Sequence, residues 1–163
     1  MFELGKISSD EYETAINETV LVANMPEFKE MTVMTANGVK KAEKDILIKH
    51  LFGMTAGFSY DIDSPMLLKC KEETDGRCPT RETMKYLAKE PLLSEPGEVW
   101  RYSLCHDVLA ALVEVVSGEK FEDYVKKNIF DVLDMKESTF MLDDSSLDTI
   151  AQQYDFCSGK LIN

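Results

Sequence analysis

Positive charge is scarce in this sequence. Its 163 residues carry 18 lysines and arginines against 30 aspartates and glutamates, a formal charge of −12. The summed field repels phosphate backbones and anionic lipid, and no basic stripe collects them, so nucleic acid is excluded as a partner. Long hydrophobic runs are missing as well. The stretch Val108 to Val116 is interrupted by Glu114 and falls far short of the roughly 20 apolar residues that a bilayer span requires. Met1 is followed by Phe-Glu-Leu-Gly-Lys where a leader would carry a basic stretch and an apolar core. The expectation is a piece without a membrane span. A cytoplasmic location is favoured, with a secreted or periplasmic parent as the alternative if the polypeptide starts upstream.

Cysteine and histidine are sparse too. Four cysteines (Cys70, Cys78, Cys105, Cys157) are too few and too scattered for a disulfide scaffold, and no two stand at C-x-x-C spacing. Free thiols are expected. Cys70 and Cys78 flank the turn-rich Glu-Glu-Thr-Asp-Gly-Arg and could meet across it in an oxidising compartment, which leaves their state open. His50 and His106 fall inside predicted helices with no cysteine or carboxylate at a ligand spacing, so a structural role is expected for each and no metal or cofactor. His106 and Asp107 are adjacent on a helix, roughly 100° apart around it, and do not form a dyad. The self-announcing catalytic motifs are lacking: no G-x-S-x-G, no G-x-G-x-x-G, no P-loop, no H-E-x-x-H.

What is present is a helical pattern. With 44% hydrophobic residues the chain can bury one core, and residues 1–163 are read as a single, largely helical domain, part of a longer chain. Tyr12, Ile16, Val20 and Ala23 predict a helix from Ser9 to Ala23, ended by Asn24 and Pro26. Met31–Met34 reads as extended before an Asn37-Gly38 turn. Asp45 is expected to cap a short helix from Ile46 to Phe52 that stops at Gly53, and Ser64-Pro65 to open another. Thr80 is expected to cap a helix reaching Lys89. A central buried helix is predicted from Leu104 to Ser117, with the stripe Leu104, Val108, Leu112, Val115 and Val116 and with Gly118 as its left-handed terminator. Phe121, Tyr124, Val125 and Ile129 continue the period. Ser138–Met141 reads as extended. Tyr154–Cys157 and Lys160–Ile162 read as two short strands around Ser158-Gly159, after which the sequence stops without a polar tail. The fold class is mainly α with minor β.

One stretch carries chemistry. Pro96-Gly97-Glu98-Val99-Trp100-Arg101-Tyr102-Ser103 passes from a tight turn through aromatics into the central helix, where a tyrosine can anchor its ring and show its hydroxyl to a cleft. By itself that also describes an ordinary packing aromatic with a wet tip.

Together with Asp107-Val108-Leu109, Val113–Gly118, Phe121, Tyr124, Ile129-Phe130 and Leu133-x-Met135, the stretch resembles the serine β-lactamase-like family: class C β-lactamases, penicillin-binding proteins and their esterase-like branch. Ile46–Phe58 resembles that family's helix and T-x-G-[LF] loop, Met25–Phe28 its P-E-F, and Leu4–Ser8 is similar to the segment after its S-x-x-K helix. The resemblance implies the helical domain of that fold without most of its central antiparallel sheet. It implies an acyl-enzyme mechanism in which an S-x-x-K serine attacks and a tyrosine serves as base. Tyr102 matches that tyrosine and is the candidate catalytic residue. Leu104 stands where penicillin-interacting members place an asparagine that binds substrate amides; it is the candidate substrate-binding position and leans the substrate toward esters.

The family's nucleophile has no counterpart here. The only S-x-x-K string, Ser117 to Lys120, spans a helix end at Gly118 and does not put serine and lysine on one helix face. The expectation is therefore the helical portion of a serine hydrolase acting on an ester, amide or β-lactam, inactive alone. Its partner in the parent is a small-molecule or peptide substrate, and it can self-associate through the face that truncation exposes. The alternative is a non-catalytic module that binds a ligand or partner.

Overall fold

The computed structural model describes residues 8–140, 151, 154–157 and 160–162. The fold is mainly helical with minor antiparallel β structure, and it divides into two compact units, Met1–Tyr124 and Val125–Asn163.

The first unit begins with α1, Ser9–Glu18. Ser8 caps it reciprocally with Glu11: the serine Oγ accepts from the Glu11 N–H at 3.2 Å and Glu11 Oε2 accepts from the Ser8 N–H at 2.7 Å. Such a cap contributes about 1 kcal/mol. The helix ends earlier than its periodicity predicts. Val20 is extended and bridges Leu47, the Leu21 N–H donates to Ile46 O (2.7 Å) and the Ile48 N–H to Thr19 O (3.0 Å). These distant partners satisfy the backbone, so Leu21–Ala23 forms a separate 3-10 turn instead of continuing α1.

A second 3-10 turn, Pro26–Glu30, leads into a hairpin of β1, Thr32–Thr35, and β2, Gly38–Lys41. Gly38, at φ +115°, supplies the turn conformation that Asn-Gly promises. On the outer edge of β1, Val33 bridges Leu92: the Met34 N–H donates to Leu92 O (2.8 Å) and the Leu92 N–H to Thr32 O (2.7 Å). This pairing fixes the origin of the segment that carries Tyr102.

Four further helices build the core. In α2, Ile48–Phe52, the N-cap is Leu47, and Asp45 takes no part; His50 Nδ1 accepts from the Leu47 N–H at 3.2 Å and does the capping from inside the helix. Gly53 ends it as expected. Pro65 opens α3, Pro65–Glu73, behind Ser64. In α4, Thr80–Leu87, the N-cap is Pro79, so Thr80 already lies inside the helix, and the Thr83 hydroxyl donates a hydrogen bond to Pro79 O (3.0 Å). The longest helix, α5, Cys105–Ser117, is capped by left-handed Gly118 at φ +73°. Its Cys105, Val108 and Ala111 are fully buried, Leu109, Leu112 and Val115 pack against the core, and Val116, placed in the stripe by sequence, is 69% exposed. Burying groups such as Leu21, Met25, Leu51, Leu92 and Val108 stabilises the fold by about 1.5 to 3 kcal/mol per side chain before entropy is set against it. A short helix, α6, Phe121–Val125, follows.

In the second unit a π turn, Lys126–Phe130, closes through the Asp131 N–H on Lys126 O and a Lys126–Asp131 ion pair, and the rings of Phe130 and Phe140 stack at 5.8 Å. Residues 138–140 form no strand, and Met141 lies outside the described residues. The two terminal strands appear as expected: β3, Asp155–Cys157, pairs antiparallel with β4, Lys160–Ile162, while Ser158-Gly159 lies outside the described residues. No helix among the described residues is long and apolar enough to cross a membrane.

Candidate active site

The site is assembled by two loops that are bound to each other along their backbones. The first, residues 53–60, follows α2; the second, residues 92–104, leaves the β1 edge and ends at α5. Four hydrogen bonds join them: Leu93 N–H to Gly57 O (2.7 Å), Gly97 N–H to Thr55 O (2.8 Å), Arg101 N–H to Met54 O (2.9 Å) and Leu104 N–H to Ser59 O (3.2 Å). Gly57 permits the approach. It stands at φ +92°, and a Cβ there would fall 2.3 Å from Ser94 O. Gly97, at φ +83°, crosses over the imidazole of His50, whose Nε2 would lie 3.0 Å from an added Cβ. Further along, Glu95 Oε2 accepts from the N–H groups of Glu43 and Lys44, and Lys44 Nζ pairs with Glu98 at 2.8 Å.

The clamped loop presents Tyr102 with 58% of its surface exposed. Its ring meets that of Tyr60 edge-on, centroids 4.8 Å apart and planes at 60°. Sequence reading did not mark Tyr60. The available signal was an aromatic just past the Thr55-Ala56-Gly57-Phe58 loop, and it gains meaning only once the two loops are joined. The Tyr60 hydroxyl is pushed up from the ordinary tyrosine value chiefly by the Tyr102 phenol beside it, through charge and polar contact, with burial and Asp107 adding smaller contributions. Among the described residues no ion pair or hydrogen bond joins Tyr102 to a lysine or arginine.

The residues directly after Tyr102 in the chain, Ser103 to Cys105, are buried. Ser103 is buried, with its Oγ 3.1 Å from Cys105 Sγ and 3.8 Å from Met54 Sδ. Burial pushes the Cys105 thiol up, opposed by hydrogen bonds from Ser103 and the Ala56 backbone. Leu104 is 8% exposed and belongs to the core; its side chain also lines a cavity of about 160 Å³ shared with Met34, Phe58, Ser64, Leu87 and Leu93. Asp107, in the first turn of α5, has its carboxyl pushed up by desolvation, offset by its own backbone N–H and by His106.

The other candidates separate from this site. Ser117 is the last residue of α5 and its Oγ accepts from the Glu119 N–H at 3.1 Å, while Lys120 Nζ lies 3.8 Å from Glu122. With left-handed Gly118 between them, serine and lysine do not share a helix face. His50 is engaged as a cap, and its pKa is lowered by burial first, then by Lys49 and Lys44. Cys70 and Cys78 are free thiols on either side of the α3–α4 turn, and Thr74 Oγ1 reaches Cys70 O (2.7 Å) and Cys78 Sγ (3.8 Å). Among the described residues no group of three or more histidines, cysteines, aspartates and glutamates could hold a metal ion.

Known proteins are similar to this chain in sequence and fold. The family model described as Beta-lactamase matches residues 35–156. The ML-236A carboxylate methylbutanoyltransferase of Penicillium citrinum is 25% identical over 124 residues, covering 72% of this chain and 30% of that protein. An acyltransferase of Monascus pilosus is 29% identical over 134 residues, covering 78% and 32%. Among solved structures, EstCE1, described as a hydrolase with promiscuous acyltransferase activity, superposes with a TM-score of 0.68 at 25% identity over 94% of this chain and 40% of its own. The chain spans about a third of the length of these curated relatives.

Proposed function

Because the chain belongs to the beta-lactamase family, we propose that it is the helical part of a serine acyl-transferring hydrolase and that Tyr102 is its general base. The observation that carries this reading is the placement of Tyr102: a solvent-facing phenol at the entrance of the central helix, held by backbone hydrogen bonds on both sides. Tyrosine loses its proton near pH 10 in water, so it acts as a base only beside a cation. In this reading an S-x-x-K motif outside these residues supplies both that lysine and the nucleophile. The serine oxygen bonds to the acyl carbonyl carbon, its proton passes to Tyr102 and on to the departing alkoxide or amine, and water or an alcohol then takes the acyl group.

Two observations support acyl esters over β-lactams as substrates. Leu104 occupies the position next to Tyr102-Ser103 with an apolar side chain that offers substrate amides no hydrogen bond. The similar proteins include enzymes described as transferring acyl groups. Leu104 then acts on specificity as part of the apolar cavity wall beside the site.

A second reading, a non-catalytic binding module, draws on the absence of any S-x-x-K with serine and lysine on one face in these 163 residues. One assay separates the two. This chain and a longer polypeptide that includes an S-x-x-K are offered a p-nitrophenyl acyl ester and a fluorescent penicillin. Ester turnover by the longer form alone, abolished by Tyr102→Phe, supports the enzyme reading. Turnover or covalent labelling by the 163-residue chain overturns the claim that it lacks the nucleophile, and an inert longer form favours the binding module.

A further inference from the structure

The edge-on pair formed by Tyr60 and Tyr102 is not a by-product of core packing. Both rings are more than half exposed, at 54% and 58%, so burial does not hold them together. What does is the loop clamp. Ser59 O, just before Tyr60, receives the Leu104 N–H, and the Arg101 N–H, just before Tyr102, goes to Met54 O. Each tyrosine is therefore one or two residues from a fixed backbone point, and the clamp brings their rings edge-on with centroids 4.8 Å apart.

We propose that Tyr60 is a positioning residue for Tyr102: its ring edge restricts the Tyr102 rotamer, and its hydroxyl donates to the Tyr102 phenolic oxygen when that oxygen carries negative charge. This rests on the reading of Tyr102 as the base. The direction of donation follows from chemistry. A phenolate oxygen can only accept, so within the pair the neutral phenol donates, and a hydrogen bond to a charged acceptor is roughly twice as strong as one between neutral groups. The upward displacement of the Tyr60 ionisation, whose first cause is the charge on Tyr102, agrees with Tyr60 as the partner that keeps its proton. The other charge acting on Tyr60 is Asp107, in the first turn of α5; it disfavours a second negative charge on Tyr60 and reinforces the same assignment. No proton leaves Tyr60 in this scheme.

The pairing also explains why an exposed loop tyrosine can serve as a base. A phenol on a mobile loop samples several side-chain rotamers, and a reacting group misplaced by about 1 Å can cost on the order of a hundredfold in rate. Tyr60 provides the lateral wall that the surrounding solvent does not.

The test has two arms that fail independently. In this chain labelled with ¹³Cζ-tyrosine, Tyr60 is expected to titrate above the ordinary tyrosine range and to fall back toward it in Tyr102→Phe. A Tyr60 titration that Tyr102→Phe leaves unmoved overturns the proposal whatever Tyr102 does in catalysis. In the longer polypeptide with the S-x-x-K motif, Tyr60→Phe keeps the ring and removes the donor; kcat is expected to fall about tenfold with KM unchanged, and Tyr60→Leu to fall further. If Tyr102→Phe abolishes turnover while Tyr60→Phe retains the wild-type kcat, the positioning role is refuted and the base assignment stands. If Tyr102→Phe turns over normally, the base assignment fails and the positioning role fails with it, even where the titrations remain coupled.

Discussion

Substituting Gly57 with alanine tests the clamp on which the site depends. Gly57 stands at φ +92°, outside the region that L side chains adopt readily, and an alanine Cβ would sit 2.3 Å from Ser94 O and 3.3 Å from Leu92 Cβ. The first effect costs about 1 to 2 kcal/mol. The second is an overlap with backbone, which no rotamer change relieves, and forced displacement of this kind costs about 1 to 3 kcal/mol. Together these predict a destabilisation of about 2 to 5 kcal/mol for Gly57→Ala. Gly118→Ala is the matched control: the residue is left-handed at φ +73° but nothing lies within 4 Å of its Cβ, so only the conformational cost applies. Urea unfolding of both variants reads the difference. With a slope of about 1 to 3 kcal/mol per molar for a small protein, the extra overlap cost of about 1 to 3 kcal/mol should lower the Gly57→Ala midpoint by roughly 0.3 to 3 M beyond that of Gly118→Ala. Equal midpoints for the two variants would refute the close approach of the loops, because the conformational penalty is common to both and the contact with Ser94 O is not.

Acidification should weaken the α2 cap. The His50 pKa lies below its ordinary value of 6.5, with burial the largest cause and Lys49 and Lys44 next; the unfolded chain then binds a proton more readily than the folded one. The stability owed to neutral His50, whose Nδ1 accepts from the Leu47 N–H, is fully present above pH 6.5 and is lost as pH falls through the folded value. Urea midpoints taken between pH 7.5 and 5 should drop in the wild type and drop less in His50→Ala; identical slopes would remove His50 as the cause. Thiol alkylation under native conditions should modify half-exposed Cys78 ahead of buried Cys70 and Cys105, whose thiols burial pushes up. Mass mapping of a time course checks the order, and early labelling of Cys105 would contradict its burial at the start of α5.

What could be seen in the sequence was what local backbone chemistry decides. Asn37-Gly38, Gly53, Pro65, Pro96-Gly97 and Gly118 act on their own neighbours, and the structure puts a turn, a helix start or a helix stop at each. Where a distant partner takes over, the sequence pattern misleads. Val20 continues the period of α1, yet its backbone pairs with Leu47 and the helix ends before it. Asp45 has a capping side chain, but the imidazole of His50, folded back from inside α2, reaches the Leu47 N–H instead. The site shows the same division. Tyr102 became a candidate because its contiguous turn, aromatics and helix start also resemble the family's tyrosine motif, and its catalytic role is proposed. Tyr60 did not, because its relation to Tyr102 exists only after the Ser59–Leu104 and Met54–Arg101 hydrogen bonds have joined two separate loops. The same bonds account for the core position of Leu104. Its N–H is held by Ser59 and it lines a cavity, so the residue two positions after the candidate base offers apolar surface there. If the site takes acyl groups as proposed, it would discriminate them by fit, where a difference of one methylene is worth only about 1 to 3 kcal/mol. Enlarging the wall by Leu104→Ala should therefore broaden acyl-chain acceptance in the longer polypeptide while leaving the identity of the base unchanged.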